Sequence, residues 1–274
     1  MSRSITIAVI LFLLTLSLSC KKKTVAPAPI GVPWNLDSLM PTLAAEYASP
    51  SYLNVSGVMI ASNISGGLVD SSGDTNLYIR NWEAALFLGE PNTFTGGVSA
   101  VSVNNTPLHT GISEYYDYFA HHDSAVLWNS SASNHWNVTG SSSIPSISTD
   151  ISGTMPAFSG ILPTSIFTAT DFSFTFNSSN TANADSAYAV IYTGGTFWYS
   201  NVVSANGGTA IISASKMSYC HNGYVVLTGF QGDTGIYYGG MLMIVIYNHE
   251  IQTFSGKQFA FVKQKEILSI VKFL

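Results

Sequence analysis

Met241-Leu242-Met243-Ile244-Val245-Ile246-Tyr247 is seven apolar residues in succession, entered through Gly239-Gly240 and left through Asn248-His249. A short continuous apolar run of this kind reads as a central β-strand buried on both faces. The segments around it read as strands too. Downstream lie Lys257–Lys263 and Ile267–Phe273. Glu266 to Leu274 also has apolar residues at helical spacing, but its β-branched content and the adjoining strand favour a strand. Upstream lie Ser186–Thr193, Thr196–Val203, Thr209–Ala214 and Tyr224–Phe230. Phe172, Phe174 and Phe176 alternate with polar residues, the pattern of a half-buried strand. The set fits an immunoglobulin-like β-sandwich in architecture, without the Cys…Trp…Cys set of true immunoglobulin domains.

The first half reads similarly. Expected strands are Val55–Ala61, Leu77–Asn81, Trp82–Leu88, Val98–Val103, Glu114–Phe119, Ser124–Trp128 and His135–Thr139. Ser38–Tyr47 is a short helix or an irregular edge, interrupted by Pro41. Turn pairs recur at Gly66-Gly67, Gly96-Gly97, Gly194-Gly195, Gly207-Gly208 and Gly239-Gly240. Gly140 to Pro163, with Pro145, Pro156 and Pro163 among many Ser and Thr, reads as an interdomain crossing plus an edge strand. The expectation is an all-β chain of two immunoglobulin-like β-sandwich modules in tandem, residues 36–143 and 144–274.

Composition agrees. Of 274 residues, 46% are hydrophobic and 12% aromatic, enough for a packed core. Only 9% are charged, against about 25% in a usual globular chain. Ser, Thr, Asn and Gly carry the polarity, which suits sheet surfaces and turns better than helix faces. The formal net charge is −5 and no basic patch stands out, so a nucleic-acid partner is not expected. With two cysteines, Cys20 and Cys220, there is no disulfide framework. Cys220 reads as a buried apolar residue.

Arg3 precedes an apolar run from Ile5 to Leu18, too short for a bilayer span of about 20 residues and suited to the core of a secretory signal. The run ends Leu16-Ser17-Leu18-Ser19-Cys20, followed by Lys21-Lys22-Lys23. Here the chain resembles bacterial lipoproteins, and "LSLSCKKK" is similar to the start of many Bacteroidota envelope lipoproteins. The resemblance implies cleavage of residues 1–19, a diacylglyceryl thioether on Cys20 and a membrane anchor through it. A cleaved, soluble secreted protein is the competing reading. Lipidation implies the cell envelope, most plausibly the outer membrane, with the periplasmic and surface faces both open. Residues 20–35 then hold the lipidated cysteine and a Pro-rich tether, TVAPAPIGVP over Thr24 to Pro33, reaching roughly 30 Å at about 3.1 Å per residue.

The second half carries WNV at Trp136, then SGTMPAFSGILPTSI, DSAYAVIYTGG and YNHEIQTFSGKQFAFVKQ. It resembles a set of uncharacterised Bacteroidota envelope lipoproteins at the level of strand pattern. That implies a β-sandwich and transfers no activity or site residue.

Motifs of catalysis are sparse. No Gly-x-Ser-x-Gly elbow is present. His249-Glu250 starts like a zinc-protease motif, but Thr253 stands where the second ligand belongs. Glu83, Glu90, Glu114 and Asp117 are carboxylates for a glycosidase pair, or solvated surface groups. His121 and Asp123 share a face of an extended segment and, with His109 or His135, form a weak metal candidate; a polar hairpin turn is the better reading. Asp70 and Asp74 space oxygens as calcium loops do, but lack the Gly and terminal acid of an EF-hand, and read better as a hairpin tip. No cofactor is expected.

Aromatic residues supply the remaining candidates. Tyr115, Asp117 and Phe119 share one face of an extended strand, while Tyr116 and Tyr118 share the other. The first set is a candidate sugar-binding platform, because an unpaired buried Asp117 is costly. Trp198 and Tyr199 are a second candidate. For all of them an ordinary aromatic core is the alternative. Asp37-Ser38-Leu39, Asp123-Ser124-Ala125 and Asp185-Ser186-Ala187 resemble the Asp-Ser/Thr-apolar O-glycosylation pattern of Bacteroidota envelopes, which makes Ser38 and Ser124 candidate acceptors. The expected function is a non-enzymatic envelope module binding glycan or a protein partner. Alternatives are a polysaccharide-directed hydrolase and a structural envelope protein without ligand.

Overall fold

The long apolar run forms the first half of the leading strand of a long hairpin, Gly240–Phe254 paired with Lys257–Phe273. The computed structural model describes residues 34–35, 53–69, 75–89, 93–94, 98–110, 115–120, 128–193, 196–220, 224–230 and 233–274. Its first strands are β1 (Trp34–Asn35), β2 (Gly57–Val69), β3 (Thr75–Gly89), β4 (Thr93–Phe94), β5 (Ala100–Val103), β6 (Thr106–Pro107), β7 (His109–Thr110) and β8 (Tyr115–Ala120). Then come β9 (Ser133–Thr139), β10 (Ile147–Ser152), β11 (Ala157–Phe158), β12 (Ser165–Ile166), β13 (Phe172–Thr175), β14 (Thr181–Ala182), β15 (Ser186–Thr193) and β16 (Thr196–Tyr199). The last are β17 (Val203–Ser204), β18 (Thr209–Ile212), β19 (Tyr224–Phe230), β20 (Asp233–Tyr238), β21 (Gly240–Phe254) and β22 (Lys257–Phe273). A single helical turn, α1 (Ala214–Met217), follows β18. The protein is all-β, and among the described residues no helix is long and apolar enough to cross a membrane.

The principal sheet runs β16-β15-β21-β22-β2-β3-β8-β7, with β4, β12 and β17 pairing at its margins. It is open, with β16 and β7 at its ends. β21 and β22 pair antiparallel from Gly240↔Val271 to Phe254↔Lys257. Ser255 (φ 48°) and Gly256 (φ 79°) close them, the two positive φ values of a type I′ hairpin turn. The polar segment Gln264-Lys265-Glu266 joins the two strands expected at 257–263 and 267–273 into one, and the helical alternative for 266–274 is not taken. Likewise 77–81 and 82–88 are parts of one strand, β3.

β22 also pairs parallel with β2, from Gly57↔Phe259 to Gly67↔Ser269. That pairing joins strands from both halves of the chain. The principal sheet thus takes strands from both sides of 143/144. Two cores nevertheless exist on one face of the shared sheet. Met59, Ala61, Ala85, Phe87, Phe259 and Phe261 pack with Val101, Trp136, Val138, Ile147 and Ile151 of the smaller sheet β10-β9-β5-β6. Further along the face, Ala187, Ala189, Ile191, Leu242, Ile244 and Ile246 pack with Phe172, Ala210 and Ile212 of the β13–β18 pair. The opposite face carries a third cluster, with Val58, Ile60, Trp82, Tyr188, Met243, Val245 and Tyr247. Met241 to Tyr247 is thus buried on both sides, as its sequence indicates.

The 140–163 segment is corrected by the same packing. Within it β10 pairs with β9 in register Ile147↔Val138 to Ser152↔Ser133 and is part of the first-half core rather than a crossing. Cys220 is a fully buried free thiol that burial pushes up to about 11, so it stays protonated at neutral pH.

Candidate functional site

Strand alternation puts two buried carboxylates in the principal sheet, on opposite faces. Glu83 lies in the row Glu83–Ala61–Lys263, and Glu266, three residues beyond Lys263, points to the other side. Two groups so placed cannot flank one glycosidic bond. Glu266 is fully buried. Its Oε1 accepts from Ser62 Oγ (2.6 Å), Gln264 Nε2 (2.6 Å) and Trp82 Nε1 (3.2 Å), while its Oε2 has no partner among the described residues. Burial raises its pKa and these hydrogen bonds oppose the rise.

Glu83 corrects the reading of the acids as solvated. It is 0% exposed, and neither oxygen has a hydrogen-bond partner among the described residues. Burial pushes its pKa up to about 8, and the nearby backbone N–H of Trp128 opposes this without reaching hydrogen-bond geometry. Glu83 is thus a neutral acid at pH 7, packed beside Ala85 and Phe87. Both acids are core groups, closed to a ligand.

The accessible chemistry lies at the sheet's margins. β16 is the edge strand that presents Trp198, and α1 positions a ring against it. The N–H of Ala214 at the start of α1 donates to Asp171 Oδ1 (2.6 Å), and Met217 at its end is buried. Tyr219 stands between Met217 and Cys220, both fully buried, so its backbone is held from both sides while its ring is 72% exposed. Its ring stacks on Trp198 at 5.8 Å between centroids and 16° between planes. Lys216 Nζ reaches back to the carbonyl of Tyr199 (3.2 Å), tying α1 to β16. Trp198 and Tyr199 are both partly buried, on opposite faces: Tyr199 packs on Phe197 and the cluster around Tyr192, and Trp198 packs against the cluster that holds Ala189, Ile191 and Ile212, its indole Nε1 buried and without a hydrogen-bond partner among the described residues. The structure therefore separates Trp198 from Tyr199 and supplies Tyr219, which the sequence reading passed over. The only signal for it was an aromatic residue set close between Met217 and Cys220.

β8 pairs with β3 so that Tyr115, Asp117 and Phe119 are register partners of Leu86, Ala84 and Trp82. Those three β3 residues belong to the third cluster. Cys20, Ser38, Asp70, Asp74, His121, Asp123 and Ser124 lie outside the described residues. His135, weighed as a metal ligand, is engaged by Asp150 and Ser148 instead. Among the described residues no three His, Cys, Asp or Glu side chains gather as a metal site. The chain matches no family model, no curated protein and no solved structure.

Proposed function

We propose that the protein is a lipid-anchored cell-envelope module that binds a glycan on the Trp198–Tyr219 ring pair. The observation that carries the reading is the stack itself. The exposed outer face of Tyr219, backed by the partly buried Trp198 of the edge strand, offers a flat apolar surface to the C–H face of a sugar ring, and its backbone is pre-organised. The low charge and the Ser/Thr/Asn-rich surface suit a neutral, hydroxyl-rich ligand better than a charged one. The anchor rests on the Leu18-Ser19-Cys20 sequence, and two or more acyl chains suffice for stable attachment.

A glycan array with the purified protein tests the binding, followed by titration of the best hit. Tyr219→Ala should weaken binding roughly tenfold, since a ring contact contributes about 1.4 kcal/mol. It should leave the melting temperature nearly unchanged because the ring is exposed. Undiminished binding by this variant removes the platform reading. The anchor has its own readout. Cells fed an alkyne fatty acid should label the wild-type protein, and Cys20→Ala should carry no label and leave the membrane fraction. Equal labelling of both sinks the anchor.

A further inference from the structure

We propose that the outer face of the β9–β10 pair is a serine acyl-hydrolase site, with Ser148 as nucleophile, His135 as general base, Asp150 as its orienting carboxylate and Asn137 as oxyanion donor. The proposal is independent of the glycan platform, which lies on other strands.

The site follows from strand register. β9 and β10 pair antiparallel with Asn137↔Ser148 and His135↔Asp150. Directly opposed residues project to the same face, and residues two apart on one strand do so as well. All four side chains therefore stand together on the face turned away from Trp136, Val138, Ile147 and Ile151, which fill the core. Asp150 Oδ1 lies 3.0 Å from His135 Nδ1, and Ser148 Oγ lies 3.2 Å from His135 Nε2.

The connectivity assigns the protons. An ionised Asp150 only accepts, so Nδ1 carries the hydrogen and donates to it. Nε2 is then the bare nitrogen and accepts the Ser148 hydroxyl proton. This is the order of contacts that activates a serine in triad hydrolases, met here on two neighbouring strands of an open face. Asn137 stands opposite Ser148, with Cβ atoms about 5 Å apart in such a pair. Its amide has no hydrogen-bond partner among the described residues. It is free to donate to an oxygen developing beside Ser148. The backbone beneath is fixed: His135 N–H donates to Asn104 Oδ1 (2.8 Å), and Asn104 Nδ2 donates to buried Asn134 (2.9 Å).

The substrate class follows from the surroundings. Ser133, Ser152 and Ser102 share this face, and Ser148 and Asp150 stand exposed on it. A short-chain carboxylic ester of a polar alcohol fits. Ser148 Oγ attacks the ester carbonyl and its proton passes to Nε2. The tetrahedral adduct collapses, the alcohol leaves with that proton, and the acyl group stays on Ser148. Water then attacks the acyl-serine, giving its proton to Nε2. The carboxylic acid departs and Ser148 recovers its proton. The net change is ester plus water to acid plus alcohol. The open face and the exposed carboxylate predict slow turnover, because water screens the Asp150–His135 pair.

A biotinylated fluorophosphonate is the probe. Ser148 Oγ displaces fluoride from phosphorus, and peptide mass spectrometry of the purified protein should find one adduct, on Ser148. Ser148→Ala should lose the label. His135→Gln should slow labelling about 100-fold and Asp150→Asn about tenfold, whereas Ser152→Ala, on the same strand and face, should label normally. The same order should hold for p-nitrophenyl acetate turnover. The lost side chains are exposed, so circular dichroism should show each variant folded. Should His135→Gln unfold, Ser148→Ala and Asp150→Asn still decide the matter. No adduct on Ser148, an adduct spread over other exposed serines, or equal rates in wild type and Asp150→Asn overturns the proposal.

Discussion

The protein should lose on the order of 5 kcal/mol of stability between pH 5 and pH 9, and Glu83→Gln should remove most of that loss. The carboxyl of Glu83 has an ordinary value near 4.5 and is raised to about 8 in the folded protein. Between those values the folded state holds a proton that the unfolded state has released. Stability therefore falls as pH rises through this window, by about 1.4 kcal/mol per unit, and levels off above it. Lys263 is on the same face two strands away, but no charge attraction offsets the burial of Glu83. Two other groups act in the same direction. Glu266 is raised by burial, and His249 is raised by the Asp185 carboxylate 3.4 Å from its Nδ1. The difference between wild type and Glu83→Gln isolates the one group. At pH 5 the neutral acid and the amide should be close in stability; at pH 9 the amide should be several kcal/mol more stable. Urea midpoints at pH 5, 7 and 9 measure this. Parallel profiles for the two proteins would show that Glu83 is not buried as an uncompensated acid.

Trp82→Ala should destabilise the fold by about 4–5 kcal/mol, the upper range for loss of a large core side chain. Trp82 is 0% exposed, in the cluster formed by β2, β3, β15, β21 and β22. Its removal leaves a cavity in the row that also holds Ser62 and Gln264. It also takes from Glu266 Oε1 one of its three donors, in a site that already has one unpaired carboxyl oxygen. Trp82→Phe separates the two losses. It keeps most of the volume and gives up the indole N–H, so it should cost about 2 kcal/mol. Denaturant unfolding of the three proteins at pH 7 checks both. A shift below about 1 kcal/mol for Trp82→Ala would mean that β3 does not pack against β22 through β2 as described.

Local pattern was enough for the all-β class, for the doubly buried Met241–Tyr247 strand and for the buried thiol of Cys220. In these cases the residue's own neighbours decide: an apolar run has no solvated face to offer, whatever lies beside it. The same logic could have marked Glu83 as buried, since Trp82 and Ala84 to Phe87 leave the strand no wet side. By residue type alone, a carboxylate reads as a surface group. Gln264-Lys265-Glu266 looked like a break between two strands. Lys265 and Glu266 find hydrogen-bond partners on β2 and β3, segments about 200 residues away, Gln264 donates to Glu266, and with those bonds made the strand runs on.

Tertiary structure alone decided the pairings. A period of two tells which residues share a face of a strand, but not which strand lies next to it. The parallel match of β2 to β22 put strands from both halves of the chain into one sheet, because the backbone groups along both edges of a strand buried on both faces need partners. The meeting of Tyr219 with Trp198, and of His135 with Asp150 and Ser148, depends on register between segments that no local motif connects. Each is a product of where the apolar faces had to pack, with the polar residues carried into place by the strands that bear them.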